Sequence, residues 1–494
     1  MRGYVLAIDQ GTTNTKSIAL DADARVAASH AVPTPVRYPK PGWVEQSGDE
    51  IWSATLGAIE GCVARLPDGA KVATIAVTNQ RESVLLWRRS TGETVGPCVT
   101  WQCRRSADRL DRLRSPELQE SVIAKTGLGL DPLFPAAKIG WLMDEVPAAK
   151  TLATKGDLCA GTVDAWLVFR LTGGAEHATD ASNASRTQLF DIHTQTWSQD
   201  LCAIFGAPSV ILPEVRDSNA TFGSTRNVAG LPDGVSIQAV MGDSHAALYG
   251  HGVRSPGEVK ATYGTGSSLM TLTERPLRSN SGLSTTVAWR TSGRTVYALE
   301  GNISVSAQAA AWMATLLGLP DVDALSALAA SAAPGREVVF VPALAGLGAP
   351  HWKDRARAAL SGLSLASTRA DVARATFEAI TLQVRDVFKA MEHDLGAPLT
   401  ALSADGGATR NEFLMRLQAD LLNRPVRRRK ILELSAFGVG AMAAAEAGLY
   451  DEAVAAAACN AESETIMPSM DAARRNATLQ HWDAALRRIV AQAR

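Results

Sequence analysis

Apolar positions along the chain fall into two kinds of run. Short blocks rich in Val, Ile, Leu and Tyr occur at residues 4–8, 17–20, 72–77, 84–87 and 237–241. They recur at 259–263, 269–272, 296–299 and 338–341. Their length and side-chain type predict strands. Between them apolar residues return at helical spacing, which predicts helices over 48–64, 115–124, 136–145, 163–171, 304–317, 369–395, 411–422 and 435–447. Short strands alternating with longer helices are the pattern of an α/β protein. Most of the long Ala-rich helices lie toward the C-terminus, where the helix propensity of Ala favours them.

One pattern occurs twice. VLAIDQGTTNTKSIAL at 5–20 reads as strand, Gly-Thr turn, strand, and VKATYGTGSSLMTL at 259–272 has the same outline. Two α/β halves are therefore expected, each opening on a hairpin tipped with Gly-Thr, able to clamp a nucleotide between them. The Gly- and Pro-rich stretch GHGVRSPG at 250–257 marks the boundary, giving halves of 1–250 and 251–494.

Composition changes this picture little. The chain has 494 residues, 46% hydrophobic and 20% charged, with a formal net charge of −1. That balance gives no reason to expect nucleic acid or a membrane as partner, and no apolar run is long enough to span a bilayer. The opening MRGYVLAIDQG reads as a first strand rather than a secretory signal. Six cysteines lie scattered without a C-x-x-C pair or clustered histidines. This argues against zinc and disulfides and for reduced thiols in the cytoplasm.

Five segments could carry chemistry. The turn after Asp9 holds Thr12, Thr13, Asn14 and Lys16. Gly there lets backbone N–H groups approach phosphate, the hydroxyls and Lys16 can donate, and Asp9 can hold Mg²⁺ through oxygen. Gly264 and Thr265 form the second such turn. Either alone is an ordinary hairpin; the pair favours phosphate. Asp405-Gly406-Gly407, followed by Asn411 and a helix, allows a flat ligand near the backbone, although a plain strand–helix connection explains the glycines equally well. Asp243, at a predicted strand end, can accept a proton from an attacking hydroxyl or simply cap a helix; His245 beside it is read as structural. Arg81 and Glu82 can pair with vicinal hydroxyls and Trp101 offers a flat face to a carbon skeleton; the bland reading is a surface ion pair and a core Trp.

In this order the segments resemble the FGGY carbohydrate kinases, and most closely their glycerol kinase branch. The matching text is DQGTT, YPKPGWVEQ, TNQRE, TWQCRR, GTVDAWL, NASRT, ILPEV, YGTGS, ALEG, GLGAP-W and DGGA, weakening after about Gly448. The resemblance implies two actin-like (ribonuclease-H-like) domains with ATP·Mg²⁺ and substrate in the cleft between them. The N-terminal domain would carry the substrate pocket, the first phosphate hairpin and the catalytic Asp; the C-terminal domain would carry the second hairpin and the adenosine site. It puts the nucleotide on Thr12, Thr13, Asn14, Lys16, Gly264, Thr265, Gly407 and Asn411. The general base falls on Asp243 and the polyol contacts on Arg81, Glu82 and Trp101.

The departures bear on substrate. Lys16 stands where glycerol kinases usually have Arg. Leu133 replaces the Tyr of their D-P-Y-F segment, Ser268 replaces a Phe packed on the glycerol carbons, and Ser244 replaces a Gln. A pocket widened in this way is expected to take a small molecule larger than glycerol: a tetritol, pentitol or ketose. A ketopentose kinase of the same family is the nearest alternative. An actin-fold nucleotide switch without a sugar, or a sugar-responsive regulator, are the alternatives of other classes, disfavoured by the Arg81, Glu82 and Trp101 set and by the lack of a basic patch. Family members are often dimers or tetramers, so a homo-oligomer is compatible with the resemblance. The stretch 227–235 lacks the Gly-rich composition of a sugar-bisphosphate control loop.

Overall fold

Five strands build the first sheet: β1 (Tyr4–Gln10), β2 (Asn14–Leu20), β3 (Val26–Pro33), β4 (Val72–Asn79) and β5 (Ser236–Gly242). The computed structural model describes residues 3–493 apart from 334, 336 and 432. Spatial order is β5-β4-β1-β2-β3, with β1, β4 and β5 parallel and β1-β2-β3 an antiparallel meander. The second sheet contains β6 (Glu258–Tyr263), β7 (Ser267–Thr273), β8 (Ser284–Thr291), β9 (Arg294–Ile303), β10 (Ala401–Asp405), β11 (Val426–Arg429) and β12 (Ser463–Ile466). Its order is β8-β9-β7-β6-β10-β11-β12. Stripped of the two edge strands, this is the first sheet again: β6 pairs antiparallel with β7, which pairs with β9, while β6, β10 and β11 run parallel. The repeat read from the two Gly-Thr hairpins is thus a repeat of whole sheets.

Helices α1 (Gly48–Val63) and α2 (Val163–Leu171) cover one face of the first sheet through Ile51, Ile59, Val163 and Leu167. The long α4 (Arg369–Leu395) buries Phe377, Val384 and Phe388 in the core of the second half. Its N-terminus is closed by a capping box, with the Thr368 hydroxyl accepting from Asp371 N and the Asp371 carboxylate accepting from Thr368 N.

The other face of the first sheet is covered from far along the chain. Helix α6 (Leu434–Glu446) packs its Phe437, Val439 and Met442 with Val5, Ala7 and Ala76. Its sequence, LSAFGVGAMAAAE, is apolar around the whole helix, as a helix buried on all sides must be. Against it lies α3 (Asp243–Gly250), which follows β5. The two helices approach through glycines: a Cβ on Gly438 would lie 1.9 Å from the Ala246 carbonyl oxygen, and one on Gly250 would lie 2.6 Å from that of Leu434. Only a residue without a side chain permits that contact.

The predicted helices all appear, with boundaries moved by a few residues. Strand β3 is absent from the sequence reading because VAASHAVP is poor in β-branched and aromatic residues and sits on a largely exposed edge.

Candidate active site

The parallel strands of both sheets end in the same region, where α/β proteins place their ligands. Asp9 and Gln10 end β1, Asn79 ends β4 with Gln80 to Glu82 following it, and Asp243 follows β5. From the second sheet come the β6–β7 turn, with Gly264 and Thr265, and the Gly406-Gly407 turn after β10.

Asp243 is the first residue of α3 rather than its cap: Gly242 occupies the N-cap position, and Asp243 Oδ1 accepts from the Ser244 N–H at 2.6 Å. Its carboxylate is 40% exposed, with the helix N-terminus supporting its negative charge. The Ser182 hydroxyl accepts from Gly242 N–H at 3.0 Å, tying down the backbone that carries it.

Arg81 and Glu82 are neighbours in sequence but do not pair with one another, and neither is a surface charge. Arg81 Nε donates to Asp243 Oδ1 at 3.0 Å and its Nη2 to Ser244 Oγ at 3.2 Å. Glu82 has φ of 61°, a strained conformation for a residue with a side chain, which occurs preferentially at functional sites. Its Oε1 accepts from Arg186 Nε at 2.7 Å. Glu300 closes the chain of charges, taking Arg81 Nη2 at 2.8 Å and Arg186 Nη1 at 2.7 Å. Burial alone would raise the Glu300 carboxyl; Arg186 and Arg81 instead hold it well below the usual carboxylate range. Ser268 Oγ donates to Glu300 Oε1 at 3.3 Å. The structure therefore brings Arg81, Asp243 and Ser244 together directly, Ser268 through Glu300, and Glu82 through Arg186.

Leu133, half-buried, joins the group through its backbone. The buried Lys138 ammonium donates to the carbonyls of Leu133 at 2.6 Å and Glu82 at 2.9 Å. Burial pulls Lys138 down to about 7, with Glu82 opposing the shift. Trp101 is 39% exposed, not a core residue, and its Nε1 donates to Thr12 Oγ1 at 2.9 Å. A buried relay of Gln46, Gln80 and Ser83 supports it, Ser83 Oγ accepting from Trp101 N–H at 3.0 Å.

Among the residues expected to meet the nucleotide, Thr13 and Asn14 sit at the exposed hairpin tip, with Asn14 Nδ2 donating to Thr13 Oγ1 at 3.3 Å. Lys16 forms an ion pair with Glu433, just before α6. The Thr265 carbonyl accepts from Ser306 N–H at 2.9 Å, bracing the second hairpin. A Cβ on Gly407 would meet open space, while one on Gly406 would strike the Tyr263 carbonyl at 2.5 Å. Asn411 caps the helix Glu412–Leu422, accepting from Leu414 N–H at 2.9 Å.

Asp9 is pushed up to about 7, chiefly by burial and then by the negative charges of Asp243 and Glu433, against the lowering effect of Lys16. Carboxylates that repel one another fit an added divalent cation, and a hard cation such as Mg²⁺ prefers oxygen donors. No cluster of three or more His, Cys, Asp or Glu residues able to hold a metal occurs among the described residues. The protein side thus suits an ion that keeps water and phosphate as most of its ligands.

Glu300, Arg186, Lys138 and Glu433 were not singled out as site residues in the sequence. Arg186 and Glu300 stand inside the quoted NASRT and ALEG segments, a signal that marked them as matching text without giving them a role.

The paired sheets, the two Gly-Thr hairpins and the buried ring of charges around Arg81 and Glu300 fit a two-domain, actin-like (ribonuclease-H-like) phosphotransferase. The N-terminal-domain profile of the FGGY family of carbohydrate kinases matches residues 4–250, and the C-terminal-domain profile matches 259–447. An apulose kinase of Pectobacterium atrosepticum is 47% identical over 98% of both chains. A glycerol kinase of Myxococcus xanthus is 42% identical over 98% of this chain and 99% of its own. The crystal structure of Plasmodium falciparum glycerol kinase with ADP superposes with a TM-score of 0.93 at 29% identity, covering 99% of this chain and 98% of that one. The chain belongs to the FGGY family of carbohydrate kinases, and it phosphorylates a sugar or polyol with ATP and Mg²⁺.

Proposed function

We propose that the substrate is a ketose or polyol larger than glycerol, phosphorylated on a hydroxyl facing Asp243. The observation that carries this is the position of Ser244 and Ser268, both hydrogen-bonded into the Arg81–Glu300 pair. Small hydroxyl side chains there leave room for extra carbons and can bond additional hydroxyl or carbonyl oxygens. Similarity to a relative named for apulose, by its name a ketose, supports the same reading.

In this proposal Asp243 accepts the proton of the attacking hydroxyl as the γ-phosphoryl group transfers in line. Arg81 and Glu82 orient the vicinal oxygens, Trp101 and Leu133 cover the carbon skeleton, and Ser244 and Ser268 set the length of substrate accepted. Backbone and hydroxyl donors of Thr12, Thr13 and Asn14, with Lys16, bind phosphates on one side; Gly264 and Thr265 bind them on the other. Gly407 and Asn411 flank the adenosine. Asp9 would hold Mg²⁺, which neutralises charge on the phosphates when bound. Residues 1–250 thus supply most of the sugar pocket, the first phosphate hairpin and Asp243, and 251–494 supply the second phosphate hairpin and the adenosine site. The six cysteines, all free and buried, support a cytoplasmic location.

The test is a coupled ADP-release assay across glycerol, erythritol, D-threitol, D-xylulose and apulose. Higher kcat/KM for a larger substrate is expected; clear preference for glycerol would sink the proposal.

A further inference from the structure

Glu300 is the one member of the charge ring delivered by the second sheet; Arg81, Glu82, Arg186 and Asp243 all come from the first half. It sits on β9, paired with Met270 of β7, and its side chain has no exposure. Its two oxygens form separate ion pairs, Oε1 with Arg81 Nη2 at 2.8 Å and Oε2 with Arg186 Nη1 at 2.7 Å, the second a charge contact without hydrogen-bond geometry. Arg186 in turn holds Glu82. Both residues proposed to orient the sugar are therefore steered by one carboxylate across the domain boundary.

Arg81 is shared between two carboxylates, Asp243 through Nε at 3.0 Å and Glu300 through Nη2. Its Nη1 is buried and has no hydrogen-bond partner among the described residues. A guanidinium is planar and its donors diverge in a fixed fork, so fixing Nε and Nη2 fixes where Nη1 points. Without Glu300 the strongest remaining partner is Asp243, and a bidentate Arg81–Asp243 pair would occupy the carboxylate needed at the attacking hydroxyl.

We propose that Glu300 is a positioning residue for the sugar, aiming Arg81 directly and Glu82 through Arg186, so that the sugar site is complete only while the second sheet is docked on the first half. The inference rests on the reading of Arg81 as a sugar contact, though not on the size of the sugar. Closure and sugar binding then favour one another, because each is stabilised by the same ion pairs.

The test measures KM and kcat for Glu300→Gln, Glu300→Asp and Arg186→Lys, using whichever substrate the wild type turns over best, glycerol included. Loss of one charge-assisted hydrogen bond corresponds to a rise of about tenfold in sugar KM. That rise is expected in Glu300→Gln with ATP KM changed by less than about threefold, and Glu300→Asp should fall between Gln and wild type. A purely structural role would lower the amount of active enzyme and leave the sugar KM alone. Folded Glu300→Gln with an unchanged sugar KM overturns the proposal. If that variant does not fold, an unchanged sugar KM in Arg186→Lys, which cannot serve two carboxylates with one fork, overturns it equally. Arg81→Lys separates the two layers. A raised KM there with none in Glu300→Gln removes only the role of Glu300, and an unchanged KM in Arg81→Lys removes both.

Discussion

The indole N–H of Trp101 donates to the hydroxyl of Thr12 at 2.9 Å, joining the flat face proposed to cover the sugar to the hairpin proposed to bind phosphate. The two residues are far apart in sequence and in different segments, yet one hydrogen bond sets their spacing. Trp101→Phe keeps the flat face and removes the bond. The KM values for sugar and for ATP should rise together, each by no more than about tenfold. Steady-state kinetics with both substrates varied checks this.

Asp243→Asn preserves the size of the side chain and removes its basicity. Turnover should fall by roughly 10²- to 10⁴-fold, the usual contribution of a positioned general base. ADP affinity measured by calorimetry should stay near wild type, because Asp243 contacts Arg81 and the Ser244 N–H rather than either hairpin.

The raised Asp9 carboxyl makes stability depend on pH in a definite direction. In the unfolded chain the group has its ordinary value of 3.8, while in the fold it lies at about 7. Between those values the folded state binds more protons, so metal-free protein should lose stability as pH rises through that window. Mg²⁺ binds the ionised form, so its stabilising effect should grow over the same window. Melting curves in EDTA and in Mg²⁺ check both slopes, and Asp9→Asn should make them shallower, the remainder belonging to Asp164, which burial also pushes up to about 7.

Ser268→Phe refills the space proposed for extra carbons. The ratio of kcat/KM for glycerol to that for the best larger substrate should rise about 10- to 200-fold, the range for a pocket changed by small apolar groups. Paired assays on the two substrates report it.

Gly438→Ala places a methyl where the Ala246 carbonyl oxygen would be 1.9 Å away. Helices α3 and α6 must then separate, at a cost of about 1–3 kcal/mol. Chemical denaturation should show the loss, and because α3 begins at Asp243, turnover of the folded variant should also fall.

Most of the framework was written locally. The two Gly-Thr hairpins, the helices at 163–171 and 369–395 and the glycine turn after Asp405 follow from spacing, turn residues and propensity, which act over a few positions. The family segments grouped these turns into one expected site. Three features depended on the packed chain. Arg81 and Glu82 read as a pair, but the positive φ at Glu82 sends them to different partners, Asp243 with Glu300 and Arg186. Helix α6 read as one more Ala-rich helix of the second half, yet it covers the first sheet. Glu300 stood only inside the ALEG segment, just past the predicted strand; its meaning comes from two guanidiniums more than a hundred positions away. Local sequence dictates backbone shape because those forces are short-ranged. Which charges meet is decided by long-range closure of two sheets, and burial then makes any unpaired partner too costly to leave.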